Sequence, residues 1–374
     1  MNFSKEPRQL LVLALLLLGL LPERSSANIM LELGLNGGYT DNLLSDSSGV
    51  VDRYSTSSAT LRFYPNSNYE LRTTGEATFY SAQTGLSNKL ARLGATWIPL
   101  NAESRFSIYV SGDFDLLRYR SQFGRFNTNN IDARAAFGYR LGTVANLRWG
   151  VRLQSTEYLG SSSGDKASIE SFAGINTTFW RDNSFDCEFG YGIMDYRFID
   201  PALEYIDIEQ PEAALTGGKL RSIYVSPRVS RPLGSRTGAN VTFTYHHFLG
   251  DEDEIVYGSS VGLLSPWTSV WEGTSIVANV KSFLLPGFIS TFGCGYWNRR
   301  HLRTIENGLY PLVIGRERDD DQARMYLQFV RPIAVGSGKI LQPRIQIDYS
   351  NNNSSNELFD YSGASISTGI SLRL

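Results

Sequence analysis

The 374-residue sequence predicts an all-β fold: a transmembrane antiparallel up-and-down β-barrel of about 16 strands, with 14 or 18 if one hairpin is misjudged. Three observations predict it. From Asn28 onward apolar residues recur with period two. After residue 27 no apolar run reaches the roughly 20 residues that a membrane helix needs. The connections between the periodic segments alternate between short and long.

The period is plain in "NIDARAAFGYRL" at 130–141. Ile131, Ala133, Ala135, Phe137, Tyr139 and Leu141 share one face. Asn130, Asp132, Arg134, Ala136, Gly138 and Arg140 share the other. Helical spacing would mix the two sets, and strand spacing separates them.

Taken in order, the chain opens with Lys5 and Arg8, then "LLVLALLLLGLL" at 10–21, then "PERSSA" with small Ser25 and Ala27. A positive start, a short apolar run and small residues before a cut form a secretory signal peptide, placed at 1–27. Residues 28–374 form the barrel. Its first eight strands are expected at 29–41, 52–64, 69–80, 87–99, 104–118, 128–141, 146–158 and 166–180. Representative apolar faces are Phe106, Ile108, Val110, Phe114 and Leu116 in the fifth, and Leu147, Trp149, Val151 and Leu153 in the seventh. The second eight are expected at 183–197, 220–233, 239–249, 271–284, 287–299, 321–333, 339–350 and 361–374. In the ninth, Phe185, Cys187, Phe189, Tyr191 and Ile193 line up. In the fifteenth, Leu341, Pro343, Ile345, Ile347 and Tyr349 do. Short links such as "PNSN" (65–68) and "LGSRTGA" (233–239) alternate with long ones at 198–219, 250–270 and 300–320. Tight turns at one rim and long loops at the other are a barrel's signature.

The faces opposite the apolar ones carry the charges. Asp113, Asp132, Arg134, Arg148, Arg152, Glu170, Asp186 and Glu188 all lie there. So many ionisable groups do not fit a dry core, but they fit a wet lumen with the apolar face in lipid. A hairpin register guessed from the turns puts Arg134 beside Asp113 and near Arg152. These eight residues are the candidate lumen wall, either a charged path for solutes or a ladder of ion pairs. Tyr64, Trp97, Tyr139, Trp180 and Phe283 lie toward the short turns and read as an interfacial girdle. Proline in "IPL", "RPL", "LPG" and "RPI" ends strands where they leave the membrane.

Other motifs carry less. A formal charge of −2 gives no reason to expect a nucleic-acid partner. Of the histidines, His246 is expected inward and His247 outward, and no spacing supports a catalytic constellation. No catalytic residue, metal ligand or cofactor is assigned. Cys187 and Cys294 both fall on outward faces about four strands apart, beyond the roughly 7 Å reach of a disulfide. The acidic "DEDE" (251–254) and "RERDDD" (316–321) read as solvated loops rather than cation sites. "GLNGGY" (34–39) lies within a strand, not at the start of a helix, so it is no phosphate cradle.

The last ten residues, "SISTGISLRL", keep their alternation to Leu374. Ser367, Gly369, Leu372 and Leu374 resemble the C-terminal signal of Gram-negative outer-membrane barrels, although Phe is commoner in the final place. The resemblance implies an outer-membrane location, lipid and lipopolysaccharide around the barrel, and the barrel-assembly machinery as a partner. A homo-oligomer is compatible with it. The class that this chain is most similar to is the porin-like barrels, which implies passive diffusion of ions or small polar solutes. The alternative is the barrel component of an export or surface-assembly system for polysaccharide, lipid or protein. Inward aromatics such as Tyr80, Tyr109, Tyr224 and Tyr326 would suit a sugar path. Any constriction is expected from an infolded loop, 198–219 for example.

Overall fold

The computed structural model describes residues 28–45, 47–99, 104–159, 165–179, 182–199, 215–249, 258–259, 271–283, 286–301, 304–305, 318–336 and 338–374. The expected signal peptide, Trp180, "DEDE" and most of the three long loops lie outside them. Sixteen strands run as a meander. The first eight are β1 (Asn28–Thr40), β2 (Asp52–Asn66), β3 (Tyr69–Tyr80), β4 (Asn88–Trp97), β5 (Phe106–Tyr119), β6 (Thr128–Leu141), β7 (Ala145–Tyr158) and β8 (Lys166–Phe179). They continue as β9 (Asn183–Ile199), β10 (Leu215–Pro232), β11 (Thr237–Leu249), β12 (Glu272–Ser282), β13 (Ile289–His301), β14 (Arg318–Val330), β15 (Ile340–Ser354) and β16 (Tyr361–Arg373). Each pairs antiparallel with its neighbour in sequence. Among the described residues no helix is long and apolar enough to cross a membrane.

β16 pairs with β1, from Glu32 opposite Arg373 to Thr40 opposite Ser365, so the sheet closes on itself. Leu374 extends the seam. Its N–H donates to the Leu31 carbonyl at 2.8 Å, and the Leu31 N–H donates back at 3.2 Å. Closure removes every free edge, which is the condition for strands in lipid. The four residues singled out at the C-terminus all sit on this seam. Ser367 pairs with Gly38, Gly369 with Asn36 and Leu372 with Leu33.

Residues paired across strands share a face, so the registers carry each face around the barrel. The outward row Ile370, Leu35, Ser57 and Ala77 is one instance. Mid-strand outward side chains are large, apolar and open: Leu93 is 58% exposed, Phe189 51% and Ile276 48%. At the short-turn rim the rings of Tyr69 and Trp97 stack at 6.1 Å, and those of Phe137 and Trp149 meet at 4.5 Å. Phe106 sits 5.1 Å from Tyr139. Tyr64 departs from the expected girdle. It pairs with Asn28, on the face that alternates with Leu61 and Phe63, and so it looks into the barrel. Cys187 and Cys294 are free and lie outward on β9 and β13.

Candidate functional site: the lumen wall

The inward face of β5 to β10 gathers most of the predicted charges into one network. Arg148 forks onto Asp186 with bonds of 2.6 and 2.7 Å and reaches Glu188 at 3.1 Å. Arg134 donates to Glu188 at 3.3 Å, and Arg152 donates to Glu170 at 3.1 Å. The Tyr224 hydroxyl lies between the two glutamates, 2.7 Å from Glu188 and 3.1 Å from Glu170. Arg134 on β6 and Glu188 on β9 are three strand spacings apart, about 14 Å. Long side chains bridge that gap because they converge on the concave side of a curved sheet. Three guanidinium groups face three carboxylates, so the network is formally neutral.

All eight predicted wall residues point inward, but the guessed register is wrong. Asp113 lies opposite Asp132, and Arg134 lies opposite Ser111 on one side and Arg152 on the other. Asp113 bonds Arg72 from β3 at 2.5 Å, and Asp132 accepts from Gln154 at 2.7 Å. The like-charged pair Arg134 and Arg152 is tolerated because the two bond different carboxylates, Glu188 and Glu170. Arg134 also lies over the Phe172 ring at 4.4 Å.

Glycines on the inward face make room for this layer. A Cβ on Gly190 would run into the Tyr224 ring, and one on Gly94 into the Arg72–Asp113 pair. The side chain from the next strand lies down where glycine leaves space.

Two loops that looked unremarkable in sequence fold into the lumen at the long-loop rim. A single 3-10 turn at Thr84–Leu86 touches two 3-10 turns joined across a kink at Phe123 within Ser121–Phe126, and a Cβ on Gly85 would overlap the Gln122 amide. Leu86 is 5% exposed and Phe126 is 3%. Both continue the inward parity of Asn88 and Thr128, the signal that could have identified them. Asp52, 2% exposed, anchors this wedge. Its carboxylate accepts from the Ser81, Ala82 and Gln83 backbone N–H groups at 3.1, 2.9 and 2.7 Å, and from the Ser81 hydroxyl at 2.7 Å.

The "RERDDD" reading is overturned where it is described. Arg318 and Asp320 are 1% and 2% exposed and pair at 3.0 Å on the inward face of β14. Arg318 lies 3.8 Å from the Phe359 ring centre, and Ser354 donates to Asp320 at 2.6 Å. Strand β14 begins three residues earlier than its alternation suggested, which takes both charges out of the loop. His246 and His247 point as expected. His246 Nδ1 lies 2.8 Å from the Trp271 carbonyl inside, and His247 Nδ1 lies 2.8 Å from Glu272 outside. No three His, Cys, Asp or Glu residues among those described converge as metal ligands would.

The wall from β10 through β16 to β3 is different. Hydroxyls and amides pair across strands there: Thr56 with Thr78 and Ser226 with Thr244, each at 3.0 Å, and Gln328 with Gln346 at 2.8 Å. The stretch from β5 to β10 thus carries one connected ion network, whereas the rest of the wall mixes hydroxyl and amide pairs with inward charges such as Arg228, Lys281, Arg344 and the Arg318–Asp320 and Arg324–Asp348 pairs. Neither a family model nor a curated protein matches the chain. Solved structures similar to it include Acinetobacter baumannii OccAB1, at 9% identity and a TM-score of 0.47, covering 93% of this chain and 97% of that one. Pseudomonas aeruginosa OprD is 10% identical with a TM-score of 0.47, over 93% and 95% of the two chains. Pseudomonas aeruginosa OpdO is 10% identical with a TM-score of 0.49, over 93% and 97%. At these values the likeness says nothing of solute or mechanism.

Proposed function

We propose that the chain is an outer-membrane channel for passive diffusion of ions or small polar solutes. One observation carries the reading: a closed barrel whose mid-strand outer face is open and apolar while its inner face is charged or hydrogen-bonding. Large exposed apolar belts do not persist in water, whereas lipid solvates them. A barrel of about 16 strands is wide enough to hold water inside. The long-loop rim faces the outside in this reading, and the Leu86–Phe126 wedge narrows the mouth on one side. Ion pairing leaves the β5–β10 network formally neutral, so that stretch of wall discriminates little by charge. The test is swelling of liposomes that carry the purified protein, with arabinose, glucose and sucrose as solutes. Swelling that slows with solute size supports the channel. Liposomes that swell no faster than protein-free ones would exclude diffusion and favour the export reading.

A further inference from the structure

The inward face of β12 to β15 holds a feature that a simple water-filled pore does not need. On β13 the inward positions Gly293 and Gly295 are both covered by aromatic rings. A Cβ on Gly295 would meet the Trp297 indole, and one on Gly293 would meet the Tyr326 ring from β14. These two positions are one inward step apart, about 7 Å along the strand. Tyr326 is held flat, because its hydroxyl crosses β13 to donate to Asn279 Oδ1 on β12 at 2.9 Å. Glycine beneath each ring lets it lie against the sheet, both rings line the cavity on the lumen side, and the Arg299 guanidinium lies 5.6 Å from the centre of the Trp297 ring. Both rings are half-buried.

Beside this pair runs a chain of polar planes. Gln328 donates to Gln346 at 2.8 Å, Gln346 donates to Asp348 at 2.7 Å, and Arg324 donates to Asp348 at 3.2 Å. Arg324 uses one Nη on this bond and its side chain is 55% exposed, against 28–31% for Arg134, Arg148 and Arg152. Its remaining donors face the lumen. Rings and polar groups line one cavity of about 390 Å³.

We propose that this cavity is a binding site for a neutral saccharide, with Trp297 and Tyr326 as the stacking platform. A pyranose ring has one apolar C–H face and a rim of hydroxyls. It needs a flat apolar surface on one side and donors and acceptors at the edge, and β13 to β15 supply both. An aromatic ring offers such a surface with little conformational entropy to lose. The Arg324–Asp348 pair is formally neutral, which favours an uncharged sugar over a uronate. The cavity is open to the lumen, so a chain of sugars can pass along it. The inference rests on the barrel being water-filled, but not on its conducting ions.

The test uses the full mature barrel and two probes, maltohexaose and cellohexaose. In planar bilayers either sugar should interrupt the ion current in resolved events. Trp297→Ala and Tyr326→Ala should each shorten those events about tenfold, as loss of an aromatic anchor does, and Trp297→Phe should restore most of the dwell time. Heat-modifiable gel mobility confirms that each variant has folded. In detergent the same sugars should shift tryptophan emission, and Trp297→Phe should abolish the shift. This second readout decides the matter even if the barrel carries no current, so failure of the channel reading is told apart from failure of the site. If neither hexasaccharide blocks current or shifts emission, the proposal is wrong. It is equally wrong if Trp297→Ala binds both as the native protein does.

Discussion

Arg148 is the residue on which most of the charged wall depends. It holds Asp186 through two bonds and Glu188 through a third. Charge-assisted bonds of this kind contribute about 1.5–3 kcal/mol each, net of the water they displace, when well buried. The three side chains are 14–31% exposed, so screening lowers that figure. Arg148→Gln should therefore destabilise the barrel by about 2 kcal/mol, mostly by leaving Asp186 and Glu188 without their shared cation. Adding Asp186→Asn should return part of the loss, since a neutral amide beside the glutamine needs no counter-charge. Urea unfolding in detergent, followed by tryptophan emission, measures both. Independent, additive losses in the double variant would mean that the pair is only a surface contact.

At this scale the sequence was half legible. Its alternation identified which face each charge occupies, and all eight residues obey it. It did not identify partners, because partners depend on register, and register depends on the turn. Asp113 was expected beside Arg134, yet it lies opposite Asp132 and bonds Arg72 two strands away. Tyr224, which joins Glu170 to Glu188, reads in the sequence only as an inward aromatic. Nothing in a single strand shows that a ring will cross a glycine on the next.

Among the elements, the seam and the wedge make separate predictions. Deleting residues 371–374 removes the pairing of Arg373 with Glu32 and Leu372 with Leu33, together with both bonds between Leu374 and Leu31. An open edge in lipid leaves backbone groups unsatisfied at several kcal/mol each. The truncated chain should accumulate unfolded, without the heat-modifiable band of a closed barrel. A normal band in the outer-membrane fraction would show that neither closure nor assembly needs these residues. At the opposite rim, Asp52→Ala removes the acceptor for the 81–83 backbone. The wedge should loosen while the barrel stays closed. Proteinase K should then cut within 81–87 in the variant but not in the native protein, with fragments read by mass spectrometry. Equal resistance would place the wedge's rigidity in Leu86 and Phe126 alone.

Element limits were the most legible part of the chain. Sixteen strands were expected and sixteen close the barrel, because both faces of each strand carry a period-two signal. The largest misses lie at the long-loop rim, at the start of β10 and the end of β15. There strands run on past the apolar band, as β14 does in beginning at Arg318, and the outward face turns polar. Without an apolar face the alternation fades before the hydrogen bonding does.

For the whole molecule, the ion network on β5 to β10 shapes what that stretch of the lumen does to passing charges. Arg134, Arg148 and Arg152 together balance Glu170, Asp186 and Glu188. Replacing all three arginines with glutamine leaves that wall three charges more negative. At 0.1 M salt the field of those charges extends about 10 Å, enough to act on ions beside the wall. The reversal potential across a salt gradient should move toward cation selectivity. An unmoved potential in a conducting triple variant would mean that ions avoid this wall and follow the rest of the lumen. The inward placement of the arginines also follows from cost, since each would lose about 2–4 kcal/mol facing lipid at mid-membrane.

The central claim is that this closed barrel is an open, water-filled path. Single-channel recording of the purified native protein in a planar bilayer tests it most directly. The account predicts discrete, reproducible conductance steps in potassium chloride that scale with salt concentration. Correctly folded, heat-modifiable protein that inserts and passes no current would contradict it.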